Sequence, residues 1–182
     1  QKPSEIGLFH AIAKHDPEGV LVRNLSGLEY FREKCEIISD FSLNATNQIT
    51  VDVLLKMGSR QVTPSYDLNR DQLMTLAHHC RPTDLQIVIH QHMPMFHMEH
   101  CVFCSVLSPG TDKTNCGRPC DYHQVELRDR VGAAHPLTAD VGCRNTLFNA
   151  QAQSGAEIVA DLVDVGVLDF RVELLREETP EQ

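Results

Sequence analysis

The chain has 182 residues, of which 42% are hydrophobic and 23% are charged, and its formal net charge is −9. The apolar content excludes a disordered chain, and 10 glycines and 9 prolines are too few for a collagen-like or low-complexity one. No apolar stretch approaches the roughly 20 residues that span a bilayer, so we expect no membrane partner. The negative charge argues against a surface that binds nucleic acid by charge alone.

Helices and short apolar strands alternate through the first ninety residues. Periodicity predicts helices at 6–14, 47–57 and 67–79, and strands at 20–22, 40–45, 61–65 and 85–90. Ser26 and Glu29 have the spacing of a capping box, which predicts the start of a further helix. An irregular segment follows, and the pattern then resumes with a helix at 152–165 and a strand at 167–175.

This alternation is typical of parallel β/α units, because the strands are too apolar to have a solvent-exposed face. About five or six mostly parallel strands fit either an open doubly wound sheet or part of an eight-stranded barrel. No glycine-rich phosphate loop follows any strand, which disfavours the nucleotide-binding form of the open sheet. We therefore predict an α/β fold in a single domain, residues 1–182, with a Cys/His-rich insertion at about 91–143.

Five of the seven cysteines fall within this insertion: Cys101, Cys104, Cys116, Cys120 and Cys143. Cys101 and Cys104 form one closely spaced pair, and Cys116 and Cys120 form another. This short spacing lets both sulfurs of a pair face one metal. Four thiolates can bind either tetrahedral zinc or an iron–sulfur cluster, so the spacing does not decide between these two. One of the five thiols is then not needed as a ligand. Clustered thiols in a chain of this length favour a metal and a reducing compartment over a disulfide framework, so we expect a cytoplasmic protein.

Histidines cluster next to the cysteines. His90 and His92 alternate on a predicted strand and therefore point to one face, near a strand end where barrel enzymes place functional residues. Neutral imidazole suits both metal ligation and proton transfer. The segment from His97 to His100 lacks the spacing of a zinc metalloprotease motif, and no serine-hydrolase elbow is present. His90 and His92 are therefore candidate catalytic residues.

Several segments together resemble the collagenase-like peptidase family U32. They are HMEHCVFC at 97–104, CGRPC at 116–120, LRDR at 127–130, ADVGCRNT at 139–146 and FRVELL at 170–175. The resemblance covers about residues 18–178 and is strongest to the branch implicated in hydroxylation of a cytidine in 23S ribosomal RNA.

The resemblance implies a barrel-like β/α core that carries an iron–sulfur cluster of the 4Fe–4S type. The five clustered cysteines match the family's candidate ligands, and Glu173, with Arg171 nearby, falls where the family has a strand-end glutamate. Some members are described as peptidases, historically collagenases. Others are implicated in oxygen-independent hydroxylation, with prephenate as the hydroxyl source for the members that act on RNA.

The opening strands of a barrel are missing from the resemblance, so we interpret the chain as a partial (β/α) barrel-like domain, a fragment of a longer catalytic domain. Unpaired strand edges then predict either a homodimer or helices that shield the edges. The leading hypothesis is an enzyme that hydroxylates ribosomal RNA, in which His90, His92 and Glu173 handle protons. The alternatives are a hydrolase, namely a peptidase with a structural metal, and a non-catalytic interaction module stapled by zinc.

Overall fold

The computed structural model describes residues 6–177, which belong to two compact units. The first unit comprises the residues up to Ile89 together with Gly155–Val172, and the second comprises His90–Ser154 and the residues from Glu173 onward. In chain order the helices and strands are α1 (Ile6–Ala13), β1 (Gly19–Val22), α2 (Leu25–Phe31), β2 (Glu36–Ser39), α3 (Gln48–Lys56), β3 (Gln61–Val62), α4 (Arg70–His79), β4 (Ile87–Met98), α5 (Val102–Leu107), β5 (Val125–Arg128), β6 (Ala134–Ala139), β7 (Asn145–Ser154), α6 (Val159–Asp164) and β8 (Phe170–Val172).

The first unit is built on parallel strands, as the sequence predicts. β1 pairs with β2 and β2 with β3, both in parallel, and Val62 forms a parallel bridge to Leu85 just before β4. Beside the start of β4, the Ile87 N–H donates to the carbonyl of Asp169 at 2.9 Å. The prediction of an α/β, partial barrel-like domain is confirmed, and no closed barrel occurs within residues 6–177.

The core of this unit lies where the helices pack on the sheet. Its fully buried side chains include Leu28 of α2, Ile37 of β2, Val51 of α3 and Leu162 of α6. Helices α2, α3, α4 and α6 each bury apolar residues in this core.

Polar caps set the ends of these elements and explain two errors in the sequence prediction. Helix α2 begins after Asn24, whose side chain accepts the Gly27 N–H at 2.8 Å, so the cap predicted at Ser26 is wrong. The strand predicted at 40–45 is also wrong, since the strand in this part of the chain is β2, Glu36–Ser39. It ends before Asp40, because the Asp40 side chain accepts the N–H of Phe41 and starts a short 3-10 turn at Phe41–Leu43.

The second unit contains an antiparallel sheet in the order β5-β6-β7-β4. The segment interpreted as irregular is therefore largely ordered: β4 runs for 12 residues through the His-rich stretch and pairs with β7. Their register shifts on both sides of Pro94, which has no N–H to give to the ladder. Because β7 extends to Ser154, the helix predicted from residue 152 starts later, with a 3-10 turn at Ala156–Ile158 ahead of α6.

Among the helices of residues 6–177, none combines the length and the apolar character needed to cross a bilayer.

A buried ion-pair network lies at the carboxyl ends of the parallel strands in the first unit. The Asp40 carboxylate is fully buried and contacts Arg171 at 2.5 Å and Arg23 at 2.7 Å. Arg171 also donates to Gln86 at 3.0 Å. The network ties the end of β2 to β8 and to the segment after β1, so it holds this edge of the sheet in one arrangement.

Replacing Arg171 with leucine should lower the free energy of unfolding by about 3 kcal/mol, because the buried Asp40 carboxylate then loses one of its two cations. Urea denaturation checks this. Arg60→Leu is the control, because its pair with Glu36 is exposed on both sides and should contribute less than about 1 kcal/mol. Equal losses in the two variants would contradict the account of the network.

Candidate functional site

All five clustered cysteines line one cavity of about 990 Å³ in the second unit. They come from three segments of the chain: Cys101 and Cys104 at the start of α5, Cys116 and Cys120 in the following loop, and Cys143 in the turn between β6 and β7. All seven cysteines of the chain are free thiols. Cys35 and Cys80 lie in the first unit, away from this group.

The first cysteine pair is fixed by the start of α5. Cys101 is the N-cap residue, and its Sγ accepts the N–H of Cys104 at 3.5 Å. Asn145, which is fully buried, accepts the Val102 N–H at 2.7 Å and directs its amide toward the Cys101 sulfur at 3.9 Å. The side chain of Asn145 therefore links β7 to the pair.

Hydrogen bonds with the loop that follows α5 hold Cys104 and Cys116. The Cys104 thiol donates to the carbonyl of Gly110 at 3.4 Å, and Cys116 Sγ accepts the Arg118 N–H at 3.4 Å. A Cβ at Gly110 would lie 2.5 Å from the Asn115 carbonyl oxygen, so this close approach of the backbone requires glycine.

The turn that carries Cys143 is organised by Asp140. One carboxylate oxygen accepts the N–H groups of Gly142 at 2.8 Å and Arg144 at 2.9 Å, and the other accepts from the Arg144 guanidinium at 3.0 Å. Cys143 itself has a φ of 61°, a left-handed conformation that is uncommon outside glycine. The turn thus accepts local strain at the residue that brings the fifth thiol to the cavity.

Two of the five thiols, Cys104 and Cys120, hold their protons more firmly than free cysteine does. Burial raises the pKa of Cys104, and the neighbouring Cys116 and Cys101 raise it further. Burial also raises the pKa of Cys120, with Asp121 and Cys101 acting in the same direction. Since a metal displaces these protons, metal affinity should fall as the pH is lowered.

The donor set is soft and suits zinc or an iron–sulfur cluster. Within residues 6–177, no set of three or more His, Cys, Asp or Glu side chains is already arranged to hold a metal ion. Ligation therefore requires movement of the thiols that line the cavity.

The two candidate histidines meet a carboxylate that sequence reasoning missed. Glu177 lies 3.0 Å from His90 Nε2 and 3.5 Å from His92 Nε2, and His92 Nδ1 lies 2.8 Å from the carbonyl oxygen of Asn149. Glu173, the predicted carboxylate, is placed next to the strand by its N–H, which donates to the His90 carbonyl at 2.8 Å. The catalytic roles of His90, His92 and Glu173 stay predictions.

Glu177 follows the last strand with no motif that marks it, and its contact with β4 spans 87 positions of sequence. Burial would raise the pKa of this carboxyl, but hydrogen bonds from His90 and from the N–H groups of Leu175 and Arg176 outweigh it. They lower the pKa from 4.5 to about 2.

The profile of Peptidase family U32 matches residues 6–179. The chain belongs to peptidase family U32. The resemblance inferred from the sequence is thus confirmed at the level of the family, whose name describes peptidases and so agrees with an enzyme. Searches of curated proteins and of solved structures found no match.

In this U32 protein, His90→Phe should raise the pKa of Glu177 toward 4.5, because the substitution removes a hydrogen bond to the carboxylate. The carboxyl carbon resonance of Glu177 followed against pH measures the change. His97→Phe, on the same strand but bonded to Thr146, is the control and should leave the titration in place.

The lowered pKa of Glu177 also makes the free energy of unfolding depend on pH. The contribution of Glu177 is present above pH 4.5 and is lost as the pH falls from 4.5 toward 2. His90→Phe should weaken this acid dependence. A wild-type Glu177 that titrates near 4.5 would contradict the contact.

Proposed function

We propose that this chain is part of an enzyme that hydroxylates a cytidine of 23S ribosomal RNA without molecular oxygen, and that it carries an iron–sulfur cluster of the 4Fe–4S type. The observation that carries the proposal is the meeting of five thiols, from three separate segments, at one cavity. Membership of family U32 and the resemblance to its RNA-modifying branch support the same reading.

Four of the five cysteines, Cys101, Cys104, Cys116, Cys120 and Cys143, would hold the cluster. When bound, such a cluster supplies one-electron transfer. The chain contributes the surroundings: Asn145 and Asp140 fix two of the three segments, and Lys113 and Arg118 line the cavity together with the carboxylates of Glu99, Asp112, Asp121 and Asp140.

In this proposal His90, His92 and Glu173 accept and return the protons of the reaction, as the sequence indicates. The oxygen atom comes from an organic donor, prephenate, by analogy with the RNA-modifying members. RNA recognition is assigned to segments outside this chain, because the net charge of −9 offers little attraction for phosphates. Clustered thiols favour a reducing compartment, so we assign the protein to the cytoplasm.

A second candidate function is a peptidase with a structural metal, which the name of the matched family favours. It requires cleavage of denatured collagen that persists through purification and is lost on a single substitution, with Cys143→Ser and His92→Ala as the first variants. A third candidate is a non-catalytic interaction module stapled by zinc. The metal analysis described next would favour it if it found one equivalent of zinc and no iron.

Anaerobic purification should yield a brown protein with about four iron atoms and four sulfides per chain. Serine replacements at Cys101, Cys104, Cys116, Cys120 and Cys143 test the ligands; at least three of these single variants should lose most of the iron. Cys35→Ser and Cys80→Ser are matched controls and should retain it, because both thiols lie in the other unit. One equivalent of zinc without iron would defeat the redox proposal.

Cells that lack the gene of the protein containing this chain should lose one hydroxylated cytidine from 23S ribosomal RNA. Mass spectrometry of nucleosides from purified ribosomal RNA measures it, and the wild-type gene should restore it while a ligand-cysteine variant should not. An unchanged nucleoside profile together with gelatin cleavage would favour the peptidase instead.

A further inference from the structure

Glu177 is held in one orientation by the backbone of its own segment. Its Oε2 accepts the N–H groups of Leu175 at 2.6 Å and Arg176 at 3.0 Å, while its Oε1 faces His90 and His92. Turning Oε1 away from the imidazoles would break both backbone hydrogen bonds. The carboxylate is therefore a fixed acceptor beside the two rings.

This fixed acceptor decides which nitrogen of His90 carries a proton. A carboxylate only accepts, so His90 donates to it from Nε2, and Nδ1 of the neutral ring then carries the lone pair. Nδ1 of His90 has no hydrogen-bond partner among residues 6–177. His92 has the opposite form, because a carbonyl also only accepts and the Asn149 carbonyl lies at its Nδ1. The side chain of His90 is 29% exposed.

We infer that Glu177 is the positioning residue of a proton-transfer site in which Nδ1 of His90 is the base. This inference rests on the proposed function, since it names the proton acceptor of that reaction. The proton moves from the substrate to Nδ1, the electron pair of the broken bond stays on the substrate atom, and the resulting imidazolium is paired with the Glu177 carboxylate. A carboxylate that orients an imidazole and balances its charge is a recurrent arrangement for such transfer.

The electrostatics agree with this assignment. At neutral pH Glu177 is ionised, since the hydrogen bonds lower its pKa to about 2 in spite of its burial. The ionised carboxylate lies 3.0 Å from His90 Nε2, so it is placed to balance the positive charge that the ring gains when it takes up the substrate proton. Glu177→Gln keeps an acceptor oxygen and removes the negative charge, whereas Glu177→Leu removes both, so the pair separates orientation from charge.

Histidine nitrogen NMR of the chain tests the arrangement without any need for activity. We expect His90 protonated on Nε2 and His92 on Nδ1, with a slowly exchanging Nε2–H resonance for His90. Glu177→Leu should abolish that resonance. Asp129→Leu is the control in the same unit and should retain it, because the Asp129 carboxylate pairs with His135 and not with His90. A wild-type His90 protonated on Nδ1, or an Nε2–H resonance that survives in Glu177→Leu, would overturn the inference.

A second experiment tests activity: Glu177 is substituted in the natural protein in cells, and the amount of hydroxylated cytidine in ribosomal RNA is measured. Glu177→Leu should lower it by at least about tenfold, a part of what general base catalysis supplies. Glu177→Gln should fall between that variant and the wild type, and Glu177→Asp should recover part of the loss; unchanged hydroxylation in Glu177→Leu would overturn the inference. If the RNA proposal itself fails, the nucleoside is absent with the wild type as well, and the NMR result alone decides.

Discussion

The site depends on polar side chains that fix backbone turns, because thiols from three separate segments meet only when each segment is held in a single conformation. Asn145 joins the start of α5 to β7 through a 2.7 Å hydrogen bond to Val102, and it does so while fully buried. Asp140 closes the turn around Cys143 with bonds to two N–H groups. A buried N–H left without its acceptor costs about 1–3 kcal/mol, so the geometry around the sulfurs is expensive to disturb.

The two units differ in the size of their cores and in the candidate functional residues that they carry. Parallel strands and apolar helices give the first unit a conventional core, with its polar network at the carboxyl ends of the strands. The second unit has a smaller core around Phe103, Leu137 and Leu147. Its thiols lie at the start of α5 and in loops, and its histidine–carboxylate cluster joins β4 to the segment after β8. A small core leaves more of the ordering to hydrogen bonds in turns, and an inorganic centre that binds several segments would stabilise it further.

Local patterns predicted the parts of the fold that local forces decide. Apolar periodicity placed α1, α3 and α4 to within a few residues, and the cysteine spacing identified the thiols that share the cavity. The antiparallel sheet was missed, because pairing between β4 and β7 is non-local and Pro94 and the histidines obscure the strand pattern. Glu177 was missed for a similar reason: its partners lie 87 residues away, and nothing in its neighbourhood distinguishes it from an ordinary solvated glutamate.

Diffraction from an anaerobically grown crystal, recorded at the iron absorption edge, locates any iron among the five thiols. We expect one compact anomalous peak within bonding distance of four of the five sulfurs, drawn from at least two of the three segments. This expectation would be contradicted by well-ordered sulfurs that face apart, with no iron signal in the cavity that they line.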